Sequence, residues 1–160
     1  MDRRQIALKL TFEVLGVPID LDTFNGRLIV QKAAYLAQAK GINLGYHFSW
    51  YLRGPYCSSL TEDAFSLESS ADIDNWILDE GSKGKLNAIR AIFTVDEAEK
   101  DTEKLALHLE LLASVHFLVR KRKMVENAEE IKQTLERYNK LFSVVEVEDA
   151  FKTLASYHFA

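Results

Sequence analysis

The residues best suited to bind a ligand surround a Gly-Pro turn in the first half of the chain. The segment Gly54-Pro55-Tyr56-Cys57-Ser58-Ser59 precedes a helix predicted over 59–68, where Ser59 and Glu62 have capping-box spacing. Free backbone N–H groups and the positive end of the helix dipole favour an anion at such a start. The pattern therefore predicts a site for a phosphate, a carboxylate or an acidic side chain of a partner. Its candidate residues are Lys32, Arg53, Tyr56, Ser58 and Ser59.

A purely structural interpretation of the same turn stays open. Ser59 and Glu62 would then only cap each other, and Arg53 would pair with Glu62 or Asp63.

Gln31 and Lys32 are the polar exceptions on an otherwise apolar predicted helix. We expect them to contact the turn and fix its backbone, so that Gln31, Gly54 and Pro55 have a structural role. In the alternative, Lys32 lays its aliphatic stem over the core and keeps its ammonium in water.

The catalytic and metal-binding patterns are weak. Cys57 lies near a helix start, which lowers a thiol pKa, but the sequence places neither His47 nor His116 beside it as a base. His108 and His116 are two helical turns apart, roughly 12 Å along the axis, too far to share a metal ion. Neither Cys-x-x-Cys nor His-Glu-x-x-His is present. The prediction is therefore no catalytic residue, no metal, no cofactor and no enzymatic activity.

One basic run, Arg120-Lys121-Arg122-Lys123, follows a long apolar stretch. These cations complement the C-terminal dipole of a helix, which explains them structurally. They also define an alternative function, a DNA-binding regulator with a winged-helix-like arrangement. A net charge of -4 weighs against that function without excluding it.

The elements that position these residues are mostly helical. Two runs, Leu28–Lys40 and Leu105–Val119, are apolar nearly all round and predict two central buried helices. Further helices are expected over 6–15, around 86–93 with a possible cap at Thr94-x-x-Glu97, and over two C-terminal stripes. The C-terminal stripes comprise Ala128, Ile131, Leu135 and Tyr138, then a helix capped by Ser143-x-x-Glu146.

Between the helices, the hydrophobic period changes to two. Tyr46, Phe48, Trp50 and Leu52 alternate with polar or exposed positions up to Arg53, which predicts a strand ended by Gly54-Pro55. Trp76-Ile77-Leu78 supplies a possible second strand of a small β-ribbon. Tyr51 and Tyr56 would lie on the outer face, where tyrosine suits recognition. In the alternative, the later helices cover both faces of the strand.

Composition limits the class of protein. The chain has 160 residues, 48% hydrophobic and 28% charged, which predicts a single domain over 1–160 rather than a disordered chain. One cysteine favours a reducing compartment, and we find no signal-peptide pattern or membrane-length apolar run. We therefore expect a cytoplasmic, mainly α (α+β) protein: one helical domain with two central buried helices and a two-stranded ribbon.

Several short motifs resemble a known group. Gly26-Arg27-Leu28-Ile29-Val30-Gln31-Lys32-Ala33-Ala34-Tyr35-Leu36, then Phe48-x-x-Tyr51-x-x-Gly54-Pro55-Tyr56-x-x-x-Leu60, resemble the YwgA-like group of prokaryotic proteins. More remotely, they are similar to the SocA/Panacea-type antitoxin domain, in which a Leu-Gln-Lys helix precedes an aromatic strand and a Gly-Pro turn. Here Val30 replaces the usual leucine. Leu109–Leu118 and Glu148-Asp149-Ala150-Phe151 are similar to the closing helices of that group.

The resemblance implies no assigned chemistry for the YwgA-like group and a toxin-binding or adaptor role for the Panacea-type relatives. Together with the residues, it favours a non-enzymatic binding or regulatory protein that acts through a partner surface. The expected partner is another protein, nucleic acid is the alternative, and no membrane association is expected.

Overall fold

A computed structural model describes residues 2–68, 76–94 and 102–159, and it is mainly α-helical with one small antiparallel ribbon. The predicted fold class is therefore confirmed. The helices are α1 (Arg3–Leu15), α2 (Phe24–Ala39), α3 (Ser58–Glu68), α4 (Glu80–Ile89), α5 (Thr102–Arg120), α6 (Ala128–Arg137) and α7 (Val144–Ser156). A short 3-10 helix, Arg90–Phe93, continues α4, and the ribbon consists of β1 (Ser49–Tyr51) and β2 (Gly54–Tyr56).

The two helices predicted to be central are buried and pack against each other. Nearly every residue of α2 from Leu28 to Ala37, and of α5 from Leu109 to Leu118, is buried. Small side chains such as Ala33, Ala34 and Ala113 are fully enclosed, which lets the two backbones approach closely. α7 also packs against α5, and α6 packs on α7. One hydrophobic cluster joins residues from Leu8 to Phe159.

Several predicted helix ends are confirmed. Ser143 and Glu146 form a reciprocal capping box at the start of α7, with Glu146 N donating to Ser143 Oγ at 3.1 Å. The stop after Leu15 is a left-handed Gly16 with φ of 73°. Thr23 caps α2 through Gly26 N at 2.9 Å, so the helix begins at Phe24, before the apolar run that starts at Leu28. The candidate cap at Thr94-x-x-Glu97 extends outside the described residues.

The cap predicted at Ser59 is wrong. α3 begins at Ser58, so Ser59 lies inside the first turn and its Oγ is 3.2 Å from Cys57 Sγ.

The ribbon differs from its prediction in both strands. Only Ser49–Tyr51 of the alternating segment is a strand, and the Gly-Pro segment predicted to end it forms its partner, with Trp50 opposite Pro55. Trp76, Ile77 and Leu78 form no strand, and the first two are exposed. As the alternation predicts, Tyr46, Phe48 and Trp50 are buried or partly buried. Leu52 instead lies in the turn and is 72% exposed.

Candidate partner-binding surface

Two consecutive polar residues of α2 hold the ribbon from beneath. Lys32 Nζ donates to the carbonyl oxygen of Pro55 at 2.6 Å. Gln31 pairs with the backbone of Cys57 in both directions: Nε2 donates to the Cys57 oxygen at 2.8 Å, and Cys57 N donates to Oε1 at 2.9 Å. The structure thus shows the expected contact with the turn. The alternative for Lys32 is wrong, because this residue is only 1% exposed.

A second buried cation reaches the ribbon from the far end of the chain. Lys140 Nζ donates to the carbonyl oxygen of Leu52 and pairs with Glu110 Oε1 at 3.1 Å, with both side chains 2% exposed. Sequence reasoning missed this ion pair. Glu110, a lone acid in the apolar run of α5, was the available signal. Lys140 lies in the loop after α6, and nothing in its local sequence marks it as buried.

Burial dominates the electrostatics of this anchor. It lowers the pKa of Lys32 to about 7, an effect that attraction to Glu110 opposes and repulsion from Lys140 reinforces. Burial likewise lowers the pKa of Lys140, against attraction to Glu110. Lys32 and Lys140 thus share one acid, Glu110, in the interior. Each lysine also donates to one backbone carbonyl oxygen of the ribbon or its turn.

At position 54 the ribbon backbone lies so close to α5 that there is no room for a side chain. Gly54 has φ of 94°, and a Cβ atom added there would lie 2.4 Å from Ser114 Oγ. Only glycine combines this left-handed conformation with this lack of volume. The ribbon is consequently fixed to α2 through Pro55 and to α5 through Gly54.

The opposite side of the ribbon is exposed and rich in aromatic groups. Tyr51 is 58% exposed and its ring centroid lies 5.4 Å from that of the half-buried Tyr56. Arg53 places its guanidinium carbon 5.4 Å from the centroid of Phe24, which is 52% exposed. We define the ribbon face as Phe24, Tyr51, Leu52, Arg53 and Tyr56.

The structure separates the predicted anion-site residues. Arg53 and Ser58 are exposed, whereas Lys32 lies beneath the ribbon and Ser59 is half-buried. The alternative pairing of Arg53 with Asp63 is wrong, because Asp63 accepts instead from Arg4 Nε at 2.8 Å and from the Tyr46 hydroxyl at 2.7 Å. These bonds tie α3 to α1 and to the segment before the ribbon.

All four residues of the basic run are exposed. Arg120 is the last residue of α5, where its charge complements the helix dipole. Arg122 lies over two aromatic rings, 6.0 Å from the centroid of Trp50 and 5.8 Å from that of Phe117. The run therefore adjoins the ribbon, on the side of Trp50 rather than of Tyr51.

The cysteine and histidines considered for catalysis or metal binding lie in different environments. Cys57 is buried as a free thiol, and His116 Nδ1 lies 2.7 Å from the Tyr35 hydroxyl in the core. His47 is exposed. Within 2–68, 76–94 and 102–159, no group of three His, Cys, Asp or Glu residues is arranged to hold a metal ion.

Comparisons with family models, with curated proteins and with solved structures gave no significant match. The resemblance to the YwgA-like group therefore stays a prediction. None of the described helices combines the length and the apolar character needed to cross a bilayer.

Proposed function

We propose that this chain is a cytoplasmic, non-enzymatic binding or regulatory protein that engages another protein through its ribbon face. The observation that carries the proposal is the exposed run Tyr51-Leu52-Arg53, presented by a turn whose backbone is bonded to buried side chains. These exposed side chains contribute little to the core, and a partner that covers them would remove their apolar surface from water.

The residue types support this role. Tyrosine and arginine are among the residues that supply most of the energy in protein interfaces, and aromatic residues in general are enriched there. Because the anchor below holds the turn in one conformation, binding would pay little ordering entropy. Between Tyr51 and Tyr56, and between Arg53 and Phe24, the side chains also support one another on the surface.

The charge of the surface indicates the chemistry of the partner. Between Asp22 and Glu62 the chain contains no Asp or Glu, although its net charge is -4. On the ribbon face, Arg53 therefore carries its positive charge with no acid within eight positions of it along the chain. An acidic segment with apolar side chains is the complement of this face. The resemblance adds the proposal that the partner is a toxin neutralised by an antitoxin-like or adaptor module.

The test compares variants of the ribbon face with a matched control. Tyr51→Ala and Arg53→Ala should each lower the affinity for the partner by roughly tenfold or more, the usual cost of losing a hot-spot side chain. Val145→Ala, an exposed apolar residue of α7, should leave the affinity unchanged. Quantitative affinity capture followed by titration calorimetry with the purified partner measures the effect. A partner retained equally by all three variants would refute the ribbon face as its site.

DNA binding is the second candidate, and one observation favours it. The exposed run Arg120–Lys123 adjoins the ribbon through Arg122 and Trp50, so basic and aromatic groups lie side by side. A duplex of arbitrary sequence should then bind at low salt and weaken steeply as salt rises. Replacing Lys121 and Lys123 with Gln should reduce that slope in a fluorescence-anisotropy titration. Absence of binding at low salt would eliminate this function.

A further inference from the structure

A cleft separate from the ribbon face lies between the end of α5, the middle of α2 and the segment before β1. Its volume is about 480 Å³, within the usual range for small-molecule sites. Four aromatic residues line it. They are Tyr35, Tyr46, Phe48 and Phe117.

The interior of the cleft is rigid and well packed. Tyr35 and Phe48 meet edge to face with ring centroids 5.3 Å apart, and Tyr35 also packs against Phe117 at 6.3 Å. The hydroxyl of Tyr35 is fixed by His116 Nδ1 at 2.7 Å, and both residues are more than nine-tenths buried. The lining of the cleft is therefore mainly aromatic with one hydrogen-bonded polar pair, which suits a planar ring.

The rim of the cleft is cationic. Arg120 and Lys121 line it and are exposed. None of the described residues that line this cleft is Asp or Glu. Two other clefts of the described chain differ in this respect: one of about 660 Å³ contains Glu110, Glu146 and Asp149, and another contains Asp20.

We infer that this cleft binds a small planar aromatic anion, with its ring among Tyr35, Phe48 and Phe117 and its anionic group at Arg120 and Lys121. The aromatic lining favours the ring, and Arg120 and Lys121, with no Asp or Glu among the lining residues, favour the negative charge. Neither the aromatic interior nor the cationic rim is used by the ribbon face, so the inference is independent of the proposed protein partner.

The anionic group could be a phosphate or a carboxylate, and two probes distinguish these sources. Adenosine monophosphate carries an aromatic base and a phosphate, and indole-3-acetate carries an aromatic ring and a carboxylate. Adenosine and inorganic phosphate serve as half-probes that lack the charge or the ring. We expect at least one complete probe to bind saturably in titration calorimetry, at least tenfold more tightly than the half-probes.

Variants assign the binding to this cleft. Arg120→Gln and Lys121→Gln together should weaken binding of the complete probe about tenfold, because they remove the opposite charge without touching the core. Phe48→Leu should weaken it through lost ring contact while retaining an apolar side chain. Arg137→Gln, an exposed cation at the end of α6, and Tyr51→Ala on the ribbon face should bind as the wild type does.

Two results would overturn the inference. One is the absence of saturable binding of either complete probe to the wild-type protein at millimolar concentration. The other is unchanged affinity in the Arg120→Gln/Lys121→Gln variant. Circular dichroism of each variant verifies that it is folded, and the exposed rim variants are informative even where Phe48→Leu lowers stability.

Discussion

At the scale of single residues, the ribbon depends on the close approach of Gly54 to Ser114. A Cβ atom at position 54 would meet Ser114 Oγ at 2.4 Å, and φ of 94° would remain unfavourable even without that contact. The steric overlap and the backbone strain can be separated, because only the overlap depends on the side chain at position 114.

Gly54→Ala should therefore destabilise the protein by about 2 kcal/mol or more, the sum of a steric overlap and a left-handed alanine. Adding Ser114→Ala should recover only part of the loss, since it removes the Oγ but leaves the φ value. Urea unfolding of both variants measures the difference. A Gly54→Ala protein as stable as the wild type would contradict the close approach.

Ser114→Ala alone serves as the control for that experiment. Ser114 Oγ is buried and has no hydrogen-bond partner in the described structure. Removing an unsatisfied buried hydroxyl costs little or stabilises the protein. The single variant should thus be within about 0.5 kcal/mol of the wild type or more stable.

The contacts of a polar residue were predictable from the sequence where that residue departs from the apolar pattern of its own helix. Gln31 and Lys32 stood out because an apolar helix has little reason to contain them, and the predicted contact with the Gly-Pro turn exists. Lys140 could not be found in this way. Its partner carbonyl at Leu52 lies 88 residues earlier, and a lysine after a surface helix is ordinarily solvated.

At the scale of elements, the helices were predictable because their periodicity and caps are encoded within a few residues. The buried status of α2 and α5 follows from runs that are apolar all round, and the capping box at Ser143 is a local signal. The first turn of α2 is less evident from periodicity, because the residues that follow the cap at Thr23 mix polar and apolar side chains ahead of the run at Leu28.

The ribbon shows what element prediction lacks. Strand alternation was clear from Tyr46 to Trp50, but pairing depends on the turn, and Gly54-Pro55 is normally a strand terminator. Here Pro55 lies in a two-stranded ribbon, and its carbonyl oxygen accepts from Lys32 of α2. A tertiary contact thus supports the second strand where local propensity does not. The Trp76–Leu78 segment, by contrast, forms no strand among the described residues.

At the scale of the whole molecule, α2, α5, the ribbon and the loop after α6 meet at one buried charged centre. Lys32, Glu110 and Lys140 are each at most 4% exposed, and two positive side chains share one negative partner. Fully ionised, this centre would hold an excess positive charge in the interior. Folding therefore favours loss of a proton: burial, reinforced by repulsion from Lys140, lowers the pKa of Lys32 to about 7.

The stability of the molecule should consequently depend on pH in a predictable direction. Between about pH 7 and the ordinary lysine pKa near 10.4, the unfolded chain binds a proton at Lys32 that the folded protein does not. Unfolding therefore takes up a proton, and the free energy of unfolding rises with pH in this window. Below pH 7, Lys32 is protonated in both states and the slope from this group disappears.

Lys32→Met isolates that contribution, because methionine fills similar space without a titratable group. Relative to this variant, the wild type should gain about 1 kcal/mol per pH unit between pH 7 and 9. Lys140 and the tyrosines titrate in both proteins, so their effects largely cancel in the difference. Urea unfolding at pH 6, 7, 8 and 9 measures it. A difference in the free energy of unfolding that stays constant from pH 7 to 9 would show that Lys32 keeps its proton in the folded protein. Attraction to Glu110 would then offset the effect of burial on the pKa of Lys32.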